Sequence, residues 1–164
     1  MKSLIVFDSV FGNTERVACH LRDILAETGE STAVRVADYS QDMLRGTELL
    51  LLASPTRAFK PTPAMTALVR GFPASTLKSL KTGVFDTRIA MEDITIQFIR
   101  FFQKRSGGAA AVMARSLTRK GATLISEPQG FHVMESEGPL KEGELDRAAS
   151  WVRALITKTN GGSI

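Results

Sequence analysis

Four consecutive leucines, Leu49 to Leu52, run into Ala53 and stop at Ser54-Pro55. Periodicity alone does not separate helix from strand in such a run, but its shortness and the proline that ends it favour a strand. A strand this apolar is covered on both faces. Antiparallel sheets commonly leave one face to water, so the run points to a parallel sheet between two layers of helix.

The rest of the chain supplies that alternation. Residues 2–7 read as a buried strand, and Thr14 to Thr28 as a helix with Val17, Leu21, Ile24 and Leu25 on one stripe and Gly29 at its end. Thr32 to Val36 form a second strand, and Asp38 to Gly46 a polar loop with a short helical turn. After the leucine strand, Thr62 caps a helix that starts at Pro63 and ends by Gly71. Lys81 to Phe85 are a fourth strand, ended by Asp86-Thr87-Arg88. A short amphipathic helix is expected over 93–105, with Phe98, Phe101 and Phe102 as core or as a lid. A firmer helix follows from Ser106, its cap, to Gly121. Ala122 to Ser126 make the fifth strand, with a break at Pro128 and an extension at Phe131 to Met134; the acid-rich stretch around Glu135 to Glu144 is expected to be solvated, and Glu144 to Lys158 are the last helix. Residues 1–160 thus read as one α/β domain, a doubly wound five-stranded parallel sheet. Such folds bind ligands at the C-terminal ends of the strands.

Composition narrows the function. The 164 residues are 43% hydrophobic and 23% charged, ordinary for a globular chain. A single cysteine, Cys19, excludes an internal disulfide and a cysteine-rich zinc site, and His20 and His132 lack metal-ligand spacing. The strand that starts almost at Met1 leaves no room for a signal peptide, and no apolar run reaches membrane-span length, so a cytoplasmic protein is expected. The net charge of +4 is unevenly spread: residues 49–126 carry +9 and the remainder −5. This basic block is either a set of solvated helix faces or the surround of an anionic ligand or acidic partner. No nucleic-acid motif accompanies it.

Three strand-end loops carry the candidate chemistry. The first, Ser9-Val10-Phe11-Gly12-Asn13-Thr14, is a glycine turn that opens a helix, a place where backbone N–H groups welcome an anion. It has neither the lysine of a triphosphate loop nor the spaced glycines of a dinucleotide fingerprint. A turn capped by Ser, Asn or Thr without any ligand has the same residues. The second loop is Ser54-Pro55-Thr56-Arg57-Ala58-Phe59, and the third Asp86-Thr87-Arg88.

A strand followed by Ser-x-x-Gly-Asn-Thr resembles the phosphate loop of the flavodoxin family. The other two loops follow strands three and four, as the walls of that family's isoalloxazine pocket do. Ser106-Gly107-Gly108-Ala109 to Gly121-Ala122 is similar to its fourth helix, and Glu137-Gly138-Pro139-Leu140 to Gly143-Glu144-Leu145 to a bacterial linker. The resemblance implies strand order 2-1-3-4-5 and FMN as cofactor. Residues 9–14 would hold its phosphate through N–H groups and hydroxyls. Ser54 to Phe59 would line one side of the ring, Phe59 stacking on it, and Asp86 to Arg88 the other edge. The chain departs from the family at Phe11, where a threonine is common. It also lacks a glycine in the second loop, whose peptide flips in flavodoxins, and carries Pro55, Pro61 and Pro63 there or next to it. The expected function is an electron carrier with an acidic redox partner docking near the basic loops. The alternative is an NAD(P)H-dependent FMN reductase of quinones or similar acceptors. A phospho-receiver lacks its acidic cluster and strand-3 aspartate here. Arg57 and Arg88, in the ring-side loops, are expected to raise the two-electron potential, or else to assist at the phosphate or be solvated.

Overall fold

The computed structural model describes residues 1–94, 97, 99, 101 and 107–161. Six strands form one sheet: β1 (Ser3–Phe7), β2 (Ser31–Arg35), β3 (Leu49–Pro55), β4 (Lys81–Ile89), β5 (Thr123–Leu124) and β6 (Gln129–Val133). The order is β2-β1-β3-β4-β5, every pairing is parallel, and β6 also pairs with β4. The helices are α1 (Asn13–Ala26), α2 (Pro63–Gly71), α3 (Ala74–Lys78), α4 (Gly108–Arg119) and α5 (Glu144–Asn160).

Alternation along each strand builds two cores. Ile5, Leu49, Leu51 and Phe85 face α1 and α5, meeting Val17, Leu21, Val152 and Leu155. Leu4, Leu50, Leu52 and Val84 face the opposite layer, meeting Met65, Val69, Leu77, Met113 and Leu117. All four leucines of the run are fully buried, as a strand covered on both sides requires. Among the described residues no helix is long and apolar enough to cross a membrane, and no group of three His, Cys, Asp or Glu residues could hold a metal.

Several boundaries differ from expectation. β4 does not end at Phe85. It runs on through Asp86, Thr87 and Arg88 to Ile89, because β6 pairs with its second half, from Phe85 beside Gln129 to Ile89 beside Val133. The third loop is therefore strand. The fifth strand is split, β5 covering only Thr123 and Leu124 and β6 resuming after Pro128. The short α3 follows Pro73 and was not expected. The cap of α4 is Gly107, in a left-handed conformation, whereas Ser106 lies outside the described residues. So does most of the expected helix over 93–105, including Phe98 and Phe102; Phe101 is 59% exposed. Thr62 caps α2 as expected, accepting from the Met65 N–H.

Glu144 lies in an acid-rich stretch expected to be solvated, yet it is buried. It accepts the His132 N–H (2.6 Å) and two bonds from Arg147 (2.5 and 3.0 Å), fastening the start of α5 to β6. Burial pushes its carboxyl up, but the Arg147 guanidinium and the His132 N–H outweigh that and hold it below the ordinary 4.5. Burial holds the His132 imidazole below its ordinary 6.5. A depressed folded pKa means stability that is present at neutral pH and lost as pH falls. We therefore expect the urea midpoint to decline from about pH 6.5 through His132 and again below about pH 4.5 through Glu144. Glu144→Gln removes the second decline, and an unchanged profile in that variant would contradict the assignment.

Candidate functional site

The site begins where β1 ends. The Asp8 carboxylate accepts the Ser9 N–H (2.9 Å), and the Ser9 hydroxyl accepts from the N–H groups of Gly12 (3.1 Å) and Glu15 (3.4 Å). Gly12 sits at φ +87°. A Cβ there would meet nothing within 4 Å, so the backbone conformation, not crowding, calls for glycine. The first helical bond of α1 is Arg16 N–H to the Gly12 carbonyl (2.9 Å). The N–H groups of Val10, Phe11, Asn13 and Thr14 are left with no acceptor among the described residues. Four unspent donors around a left-handed glycine at a helix N-terminus form an anion nest.

The side chains of this loop are committed elsewhere. Asn13 donates its amide to the Glu137 carbonyl (2.9 Å), with Gly138 packed so close that a Cβ would lie 2.5 Å from that amide. The Thr14 hydroxyl pairs with Thr87 at 2.7 Å, buried between α1 and β4. Arg35, at the end of β2, pairs with Glu15 (2.5 Å) and donates to the Ser9 carbonyl (3.2 Å). It neutralises the carboxylate in the first turn of α1, which would otherwise repel an anion.

The second loop is rigid. The Ser54 hydroxyl accepts the Thr62 N–H (3.0 Å), and the Thr56 hydroxyl accepts the Ala109 N–H at the start of α4 (2.8 Å). Arg57 and Lys60 exchange two backbone bonds, each 2.9 Å, around Ala58 (φ 44°) and Phe59 (φ 68°). Both central residues at positive φ is the geometry of the primed hairpin turns, which normally recruit Gly or Asn. Neither is present. We expect Ala58→Gly to raise stability by about 0.5–1 kcal/mol, the relief of the left-handed penalty less the entropy that glycine adds to the unfolded chain. Thermal melts check this, and a loss of stability would contradict it.

Asp86 and Arg88 point to the α4 side of β4. Asp86 is fully buried and accepts from the Ala110 N–H (2.8 Å) and from Arg88 Nε (2.6 Å). Burial pushes its carboxyl up, against the pull of Arg88 and of the Ala110 N–H. Arg88 also donates to the Gly107 carbonyl (3.0 Å) and lies over Gly130, where a Cβ would be 2.3 Å from Nε. The pair ties the N-terminus of α4 to β4.

One crevice gathers these parts at the C-terminal ends of β1, β3, β4 and β6. Residues 9–11, 13, 14, 55–57 and 87–89 line it, joined by Val133 and Ser136. Of the residues expected in the site, Gly12, Ser54, Ala58, Phe59 and Asp86 stand behind or beside it. Ile89, Val133 and Ser136 were not foreseen from the sequence, since they arrive through the pairing of β6 with β4. Among the described residues two arginines line the crevice and no acid does. Arg88 is matched by Asp86. Arg57 meets no carboxylate among the described residues; its guanidinium rests on the Phe11 ring, 5.3 Å from the centroid.

No protein-family model and no curated protein matches the sequence. Solved structures match the fold. A flavodoxin from the domain Archaea superposes with a TM-score of 0.76 at 16% identity, over 98% of this chain and 99% of that one. Flavodoxin 1 from Bacillus cereus gives 0.72 at 15% identity, over 96% and 98%. Rubredoxin oxygen:oxidoreductase from Desulfovibrio gigas gives 0.73 at 15% identity, covering 98% of this chain but 36% of that protein. The chain has the flavodoxin-like fold.

Proposed function

We propose, from the flavodoxin-like fold and the nest it carries, that this protein binds FMN and passes electrons to and from a partner protein in the cytoplasm. The four unspent N–H groups of residues 10, 11, 13 and 14, in a crevice whose described lining has arginines and no acid, carry the reading. They suit a terminal phosphate. When bound, FMN would supply a flat redox centre that accepts and returns one or two electrons.

The chain's own residues have distinct parts in this reading. The Gly12 turn presents N–H groups at the phosphate. Ser9, Asn13 and Thr14 brace the turn through Gly12, Glu137 and Thr87 rather than contacting the ligand first. The 54–59 loop, fixed by the Ser54–Thr62 bond and the turn at Ala58-Phe59, forms one side of the ring site. The end of β4 at Thr87 and Arg88 forms the other. Exposed Val10, Phe11 and Met134 rim the crevice region beside exposed Arg57 and Lys60, a mixed apolar and basic surface that fits an acidic redox partner.

The test is the purified protein itself. A yellow preparation with one FMN per chain is expected, reducible through a partner reductase. A preparation that neither carries nor takes up FMN would sink the reading. Steady NAD(P)H oxidation with a quinone, without any partner, would shift it to the reductase.

A further inference from the structure

We infer that Arg57, held in place by Phe11, is the charged closure of the phosphate nest and makes the crevice select flavins that end in a phosphate dianion. The inference rests on the FMN reading above and adds a residue and a specificity to it.

The argument is one of charge and pre-organisation. Of the two described arginines that line the crevice, Arg88 is matched by Asp86, and Arg35 behind the nest by Glu15. Arg57, the other lining arginine, meets no carboxylate among the described residues. Its backbone is pinned on one side by the two bonds with Lys60 around a turn of two residues at positive φ. Its guanidinium is pinned on the other by the Phe11 ring. Phe11 belongs to the nest, and its own N–H is one of the four unspent donors. A flexible exposed arginine would lose rotamer entropy on reaching an anion, but here much of that cost is met before the ligand arrives. The aromatic face leaves the guanidinium edge, with its N–H donors, for a phosphate. Phe11 is thus a positioning residue, and the hydroxyl that a threonine would offer there is replaced by a held cation.

The full-length chain, freed of flavin, is titrated with FMN and with riboflavin by calorimetry. Wild type should bind FMN more tightly than riboflavin. Arg57→Gln should lower FMN affinity about tenfold, a charge-assisted hydrogen bond at a partly open site, and lower riboflavin affinity by a clearly smaller factor. Arg57→Lys should recover part of the loss, and Phe11→Leu should give an intermediate loss for FMN only. FMN affinity unchanged in Arg57→Gln, or FMN and riboflavin affinities falling by the same factor, would overturn the inference while leaving the FMN reading intact. Wild type binding neither flavin would overturn both.

Discussion

Asp86→Ala should lose about 3–5 kcal/mol of unfolding free energy, the range for breaking a buried ion pair by removing one partner. In a chain of this size that corresponds to a fall in melting temperature of roughly 10 °C. The reason is the company Asp86 keeps. It is fully buried between β4 and the start of α4, and its two oxygens serve different partners, the Arg88 guanidinium and the Ala110 N–H. Truncation leaves Arg88, only 17% exposed, with the Gly107 carbonyl but no carboxylate, and orphans a helix N–H. Asp86→Asn should fall between, because it keeps an acceptor for Ala110 but not the charge. The double variant Asp86→Leu with Arg88→Met should lose clearly less than the sum of its single changes, since no charge is stranded. Additive losses would show that the two side chains act independently and would contradict the clasp.

Phe11→Asp should abolish most FMN binding and leave the fold alone. Phe11 is 43% exposed, so the change should move stability by no more than about 0.5 kcal/mol. Its effect on an anion is large. A carboxylate on the nest loop competes for the same N–H donors and for Arg57, which now rests on the Phe11 ring. Two unit charges about 5 Å apart at an effective dielectric of about 20 repel by roughly 3 kcal/mol, and a phosphate dianion doubles that before salt screening. A loss of at least about hundredfold in FMN affinity is the expected result. FMN affinity within about threefold of wild type would mean that the phosphate lies elsewhere.

The layers were legible because the signals were local and repeated, and the strand order followed from the family resemblance. The Leu49–Leu52 run, the Thr62-Pro63 helix start and the Val17–Leu25 stripe each follow from neighbours in the chain, and each element formed. The end of β4 was not legible, because Asp86-Thr87-Arg88 reads as a polar stop. Those residues are strand only because β6, more than forty positions later, supplies their ladder and the α4 N-terminus satisfies Asp86. The same long-range pairing brings Val133 and Ser136 to the crevice, and no local pattern announces that. Glu144 was misjudged for a similar reason, since its partners His132 and Arg147 meet only once α5 packs on β6. At the nest, the sequence reading expected hydroxyls and N–H groups of residues 9–14 to hold a phosphate together, and the structure divides those groups differently. The hydroxyls and amide of Ser9, Thr14 and Asn13 hold the turn, and the N–H groups of residues 10, 11, 13 and 14 are left without an acceptor among the described residues.

The most direct test is a two-dimensional amide NMR spectrum of the full-length chain, recorded with increasing FMN. The N–H resonances of Val10, Phe11, Asn13 and Thr14 should move strongly downfield and saturate at one FMN per chain, and riboflavin should not reproduce those shifts. FMN that binds and leaves these four amides where they were would contradict the account.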